Sequence, residues 1–372
     1  MTEREPVDVM ILMQDLRGGG AERSFLRLAR GIVQTGRTVE LVLIGERNDY
    51  PDELPAGVTV VVLGCRRVST SAIAIARYLS GTRPRSVVSA LTHVNVVAVA
   101  ARVLSRHKPR LIVSERIQFS KRKAQTYTLQ ERIAYALVPI AYRLADAVVC
   151  VSDGVADDFR AQTGLTPNKV VTVHNPVFDD RIGIRASEPC ATLSALANST
   201  HCKTVVAAGR LVHQKGFDNL ISAVAKLRSH MPLRLVILGE GPLRDELKAQ
   251  ARALGLGDAD CVLPGFVRNP LPIIASADVF VLSSRYEGFP NALVEAMACG
   301  TPIVSTDCPS GPWEIVAPNW RAQLVAVDDI DQLTTEIHNQ LAEPTPSEQL
   351  VERAARFGVD VAAKSYLEVL GV

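Results

Sequence analysis

Short runs of valine, isoleucine and leucine recur along the chain, separated by longer stretches whose apolar positions repeat every three to four residues. In the first half the runs are Val7–Leu12, Val39–Ile44, Val58–Leu63, Val87–Ala90, Leu111–Ser114, Ala147–Val151 and Val170–Val173. In the second half they are Thr204–Ala208, Leu233–Leu238, Cys261–Leu263, Val279–Leu282, Ile303–Ser305 and Leu324–Val327. Apolar runs alternating with helical patterns predict βα units, and hence two parallel, Rossmann-like α/β sheets. From Asp179 to His201 the periodicity lapses into Ser, Asn, Pro and Thr, as in a connection between domains. The expected organisation is an N-terminal domain 1–180, a linker 181–202 and a C-terminal domain 203–355. A terminal helix, 356–372, can cross back to the first domain.

Composition supports two packed cores rather than one. The chain has 372 residues, 47% of them apolar and 22% charged, whereas one domain typically takes roughly 100–200. With 41 basic against 39 acidic side chains the formal charge is only +2, so no global attraction to nucleic acid is expected. The seven cysteines form no CxxC pair and no metal-ligand spacing, which fits free thiols in a reducing, cytoplasmic setting. The opening apolar run, Val7 to Met13, is too short for a leader or a membrane span.

In open α/β sheets ligands bind beyond the carboxyl ends of strands, so the chemistry is sought in the loops there. After the first strand comes Asp15-Leu16-Arg17-Gly18-Gly19-Gly20-Ala21-Glu22-Arg23, with a helix from about Ala21 to Thr35. Glycines before a helix N-terminus suit an anion, or else simply make a tight turn. In the second half, Ala208-Gly209-Arg210-Leu211 and Gln214-Lys215-Gly216 place two cations on one strand-end loop, where they can neutralise a diphosphate or merely face solvent. The segment Tyr286-Glu287-Gly288-Phe289-Pro290-Asn291-Ala292-Leu293-Val294-Glu295 has one carboxylate before a helix and another within it. Asn291 can cap that helix and Gly300 end it. Both glutamates suit vicinal hydroxyls, although two exposed acids on an amphipathic helix would look the same.

The Glu287–Glu295 spacing, with its surrounding residues, resembles the E-x7-E motif of the retaining GT-B-fold glycosyltransferases of family four. The likeness extends over almost the whole chain, through Gly18–Arg23, Ala208–Leu211, Leu238–Pro242, Pro264-Gly265-Phe266 and Asp307–Pro312. It implies two Rossmann-like domains facing a cleft and hexosyl transfer from a nucleotide diphosphate sugar, UDP or GDP, with retention of configuration. Arg210 and Lys215 would grip the diphosphate, with Gly19 and Gly20 approaching it from the other domain. Glu287 and the backbone of Phe289, Pro290 and Asn291 would hold the donor sugar. Glu295 would take the ribose, and the backbone near Val267 the base. His93, just past a first-domain strand, can meet a sugar hydroxyl or play a capping role, and Glu115 and Arg116 are acceptor-side candidates.

No metal or other cofactor is expected. Asp329-Ile330-Asp331 spells DxD, but its position before a helical pattern suits an N-cap and a first-turn acid. The basic stretch Arg102 to Lys123, with Phe119 and Tyr127 near it, is either a solvated face or a contact with anionic membrane. The expected partners are therefore a nucleotide sugar and a glycan or lipid-linked acceptor, with the inner face of the cell membrane as the alternative contact of the basic stretch, but no nucleic acid. A sugar-nucleotide epimerase or phosphorylase on the same fold, or a non-catalytic nucleotide-sugar-binding subunit, are the competing readings.

Overall fold

The computed structural model describes residues 6–17, 19–49, 51–124, 128–196, 202–316 and 318–372. Gly18 of the glycine loop, Tyr127 of the basic stretch and residues 197–201 of the expected linker lie outside them. The chain divides into two compact units, residues 1–177 with 357–372, and residues 178–356.

The first unit is built on β1 (Val9–Met13), β2 (Val39–Leu43), β3 (Val58–Val62), β4 (Ser86–Ala90), β5 (Arg110–Glu115), β6 (Ala147–Cys150) and β7 (Val170–Thr172). They pair in parallel in the order β3-β2-β1-β4-β5-β6-β7. All five residues of β1, β2 and β4 are buried. The runs lack polar alternation because helices cover both sheet faces. The closing helix Val359–Leu370 packs on the helix Gly20–Gln34. There a Cβ on Gly31 would stand 2.7 Å from Val359 Cγ1 and 2.9 Å from Ala363 Cβ, so glycine permits the close approach. Tyr366 is buried and meets the Phe25 ring edge-on at 6.4 Å.

The second unit carries β8 (Lys203–Ala208), β9 (Leu233–Leu238), β10 (Cys261–Gly265), β11 (Val279–Leu282), β12 (Ile303–Thr306) and β13 (Leu324–Val325). Their order, β10-β9-β8-β11-β12-β13, is again wholly parallel. The stretch read as a linker contains short helices at Ile182–Ala186 and Ala191–Leu196. The first packs on the helix Leu271–Ala275, and Asn269 Nδ2 donates to the Arg185 carbonyl at 2.7 Å. Its sparse apolar residues are spent on that local packing rather than on a periodic face.

Candidate functional site

In each sheet the strand order reverses once, between β1 and β4 in the first unit and between β8 and β11 in the second. At such a reversal the helices that follow the two strands leave on opposite faces, opening a crevice at the strand ends. The glycine loop and the loops bearing His93, Arg210 with Lys215, and Glu287 follow these four strands. Residues in these and neighbouring strand-end loops are conformationally constrained. Among the described residues four non-glycines have positive φ, and three of them, Leu91 (75°), Ser310 (83°) and Asp328 (64°), belong to the loops described below. Such backbone is costly and persists where surrounding contacts impose it.

In the second unit the loops after β8 and β11 are zipped together. Arg285 N–H donates to the Gln214 carbonyl at 2.7 Å, and Gln214 Nε2 donates to the Tyr286 carbonyl at 2.9 Å. The Arg285 guanidinium spans Asp218 (2.7 and 2.9 Å), Asp328 (2.8 Å) and the His213 carbonyl (2.8 Å). Burial pushes the Asp218 carboxyl up, but the hydrogen bonds and charge of Arg285, with backbone N–H groups, outweigh it and hold the pKa below the usual range.

This clamp brings Lys215 and Glu287 together, with Lys215 Nζ donating to Glu287 Oε1 at 2.5 Å. Ser284 Oγ donates to the same oxygen at 2.6 Å, while Oε2 accepts no hydrogen bond among the described residues. Ser310 Oγ holds the Glu287 carbonyl at 2.7 Å, and Ser283 Oγ holds that of Lys215 at 2.9 Å. The pair is sheltered, Glu287 being 8% and Lys215 19% exposed. Gly209 makes room for the lysine stem, since a Cβ there would lie 3.1 Å from Lys215 Cε. Arg210, by contrast, is exposed and forms no ion pair among the described residues.

The helix bearing Glu295 runs from Asn291 to Ala298. Its N-cap is Pro290, and Asn291, expected to cap it, is instead its first residue. Proline at φ −78° sets the approach to the helix without a side-chain cap. Phe289 and Pro290 are buried, Glu295 and Val267 are half-buried, and Gly300 adopts φ 73° just past the helix end. Asp329 caps the helix Ile330–Ala342 by accepting from Gln332 N–H at 2.8 Å, and Asp331 pairs with Lys226 at 2.5 Å.

In the first unit His93 Nε2 lies 2.7 Å from Gln14 Oε1. Gln14 Nε2 donates to Asp15 Oδ2 at 3.2 Å, and Arg17 Nε donates there at 2.6 Å. With Gln14 so oriented, the His93 ring proton sits on Nε2 and Nδ1 is an acceptor. Burial and then the Arg122 charge lower the His93 pKa against the pull of Glu131 and Asp15, so the ring is neutral at pH 7. Gly19 caps the helix Gly20–Gln34, and a Cβ there would fall 2.2 Å from Glu22 Oε2. The Glu22 carboxylate thus lies against the Gly19 backbone.

Glu115 ends β5 and Arg116 follows it, and the Glu115 carboxyl does not stand open to an acceptor. Glu115 is 2% exposed; Oε1 accepts from Tyr142 OH and Asn95 Nδ2 (3.3 Å), and Oε2 from Thr92 Oγ1 (3.0 Å). Burial outweighs these bonds and raises its pKa to about 7. The Arg116 guanidinium lies 5.0 Å from the Phe25 ring centre. The raised carboxyl makes stability pH-dependent. Its contribution is full below the unfolded pKa of 4.5 and lost as pH rises to about 7. The unfolding free energy of the wild type, read from urea titrations, should therefore fall across that window by up to ~1 kcal/mol per pH unit on this account. In Glu115→Gln, whose amide can face Thr92, that part of the slope should vanish.

Two readings of the basic stretch change with the structure. Phe119, taken as a membrane-side aromatic, is 1% exposed, with Tyr135 and Phe159 rings at 5.2 and 5.4 Å. Arg102 is engaged by Asp146 (3.1 Å) and the Leu144 carbonyl (2.8 Å). Among the described residues no helix is long and apolar enough to cross a membrane.

Comparison with known proteins gives two domain matches in tandem. Residues 18–181 match the model "Glycosyltransferase Family 4", and residues 195–357 match "Glycosyl transferases group 1". A Campylobacter jejuni relative is 29% identical over 334 residues, covering 86% of each chain. It is named N-acetylgalactosamine-N,N'-diacetylbacillosaminyl-diphospho-undecaprenol 4-alpha-N-acetylgalactosaminyltransferase. The lipopolysaccharide core biosynthesis glycosyltransferase LpsE of Rhizobium meliloti is 28% identical, over 62% of this chain and 65% of its own. Among solved structures, Anabaena HepE in complex with UDP and glucose superposes with a TM-score of 0.79 at 20% identity, covering 98% and 99% of the chains.

Proposed function

The chain belongs to the GT-B glycosyltransferases of the family-four type, enzymes of glycan biosynthesis, and from that footing we propose its reaction. It moves a hexosyl residue from a nucleoside diphosphate sugar to a hydroxyl of a lipid-linked glycan, with retention at the anomeric carbon. The observation that carries this reading is the Lys215–Glu287 pair: one carboxylate oxygen is fixed by the ammonium and Ser284, the other is open to a hydroxyl. Such a unit suits the junction of a sugar and its diphosphate.

In the proposed reaction the C1–O bond to the diphosphate breaks as the acceptor oxygen forms its bond on the same face. The acceptor proton passes to the departing phosphate oxygen. Lys215, together with Arg210, neutralises the charge growing on that group, the largest change in the transition state. Glu295 is assigned to the ribose, and the backbone near Val267 to the base. Neutral His93, with Nδ1 an acceptor, is assigned to a hydroxyl of the transferred sugar. The names of the Campylobacter and Rhizobium relatives, and the UDP bound by HepE, favour this reading over an epimerase.

The test is a thermal-shift panel of UDP-, GDP- and ADP-sugars, followed by NMR of the product's anomeric proton. Stabilisation by one nucleotide series and a product of unchanged configuration are expected. Stabilisation by none, or an inverted product, would sink the corresponding half of the proposal.

A further inference from the structure

Three strands of the first unit lie side by side in the order β1-β4-β5, and residues from all three ends converge on His93. Gln14 follows β1, Leu91 and the helix Thr92–Leu104 follow β4, and Glu115 closes β5. The ring is held from the β1 side. His93 Nε2 donates to Gln14 Oε1 at 2.7 Å. The Gln14 amide cannot turn over without losing its bond to Asp15, which is itself 6% exposed and fixed by Arg17. In the other orientation the amide would offer a donor to Nε2 and move the ring proton to Nδ1.

The backbone is held from the β5 side. His93 stands in the first turn of its helix, flanked by two residues that bond to Glu115. Thr92 Oγ1 donates to Glu115 Oε2 at 3.0 Å. Asn95 Nδ2 donates to the Ser114 carbonyl at 2.9 Å and reaches Glu115 Oε1 at 3.3 Å, while its Oδ1 accepts from Ser89 Oγ at 2.7 Å. The turn needs such anchors, because it is entered through Leu91 at φ 75°, a conformation that a leucine keeps only under external contacts. A carboxyl as deeply buried as that of Glu115 is costly to keep. What its bonds fix is the turn that carries His93.

We propose that Gln14, Thr92 and Glu115 are positioning residues that act through His93. The first fixes the tautomer, so that Nδ1 is a hydrogen-bond acceptor, and the other two fix the backbone beneath the ring. The proposal rests on the assignment of His93 to a hydroxyl of the transferred sugar. Its consequence is selectivity: a ring nitrogen that can only accept favours a donor sugar with a free hydroxyl there and disfavours the deoxy analogue.

The test joins ring-nitrogen NMR to a mutant cycle. In two-bond ¹H–¹⁵N spectra of the wild type at pH 7, the His93 signals, identified by their loss in His93→Ala, should report a proton on Nε2 and a bare Nδ1. Gln14→Leu, which keeps the shape and removes the acceptor, should average the two nitrogen shifts and lower kcat ~tenfold. Thr92→Val should lose about as much, and Thr92→Ser should recover most of it. In a His93→Ala background neither Gln14→Leu nor Thr92→Val should cost more than about twofold further, since nothing is left to position. A wild-type ring protonated on Nδ1 would overturn the proposal. So would undiminished losses in the His93→Ala background, the result of a merely structural role. Should Thr92→Val fold poorly by its melting curve, Gln14→Leu carries the cycle alone. A His93→Ala enzyme turning over like wild type would sink the assignment of His93 to the sugar and the proposal with it, and the wild-type spectrum then tells whether the hold on the ring had also failed.

Discussion

Lys215→Ala should lower kcat by ~10²–10³-fold, the size of loss seen when one fixed donor is withdrawn from a developing anion. The ammonium is held in place by Glu287 Oε1, 2.5 Å away, and keeps donors to spare for a ligand. Its removal also leaves a sheltered carboxylate whose remaining side-chain hydrogen bond, among the described residues, comes from Ser284 Oγ. Pairing Lys215→Ala with Glu287→Gln in a double-mutant cycle reads that coupling, and the double variant should be far less impaired than the product of the single losses. Steady-state kinetics with melting curves for each variant provide the check. A Lys215→Ala enzyme within threefold of wild type would remove this lysine from the chemistry.

Gly216→Ala should be among the most damaging small changes to the second unit. Gly216 has φ 61° and joins the Lys215 loop to the helix Phe217–Arg228. A Cβ there would fall 2.1 Å from the Ser283 carbonyl oxygen, a backbone atom with no rotamer to yield. The left-handed conformation alone costs an alanine about 1–2 kcal/mol, and relief of the contact must push the β8 and β11 loops apart. A total of ~3 kcal/mol corresponds to a melting temperature lower by ~6–12 °C. Activity should fall further than stability explains, because the displaced loops carry Lys215 and Glu287. Calorimetry and kcat at a temperature where the variant is folded distinguish the two effects.

The strands were legible because parallel strands covered on both faces leave uninterrupted apolar runs, as in Val9–Met13 and Leu233–Leu238. The loops to inspect were legible for the same reason, since strand ends point to them. What could not be read was pairing across the sheet. That Lys215 meets Glu287, 72 positions away, follows from β8 lying beside β11. Ser283 and Ser284 were visible as two small polar residues directly after an apolar strand, yet only that adjacency gives them their partners. Asn291 was mistaken for a cap because asparagine is a good one, whereas Pro290, buried in the loop, already fixes the turn. Phe119 was placed with its basic neighbours, but its rings of contact, Tyr135 and Phe159, come from distant helices. The exposure of Leu129, Ile133, Leu137 and Ile140 on the helix Leu129–Ala141 was hidden for the opposite reason: an outward aliphatic row looks in sequence like one facing a core.

The return of the C-terminal helix to the first unit sets an order of events during synthesis. Residues 1–177 leave the ribosome before the second unit, but their core lacks Tyr366, Ala363 and Leu370 until residues 357–372 follow. At ~5–20 residues per second, the intervening residues 178–356 impose a wait of about 10 to 40 s. Through that interval the groove beside Phe25 and Gly31 stays uncovered, so the domain made first is completed last. A chain released after residue 356 should accordingly be cut by protease in the first unit, while the second already resists.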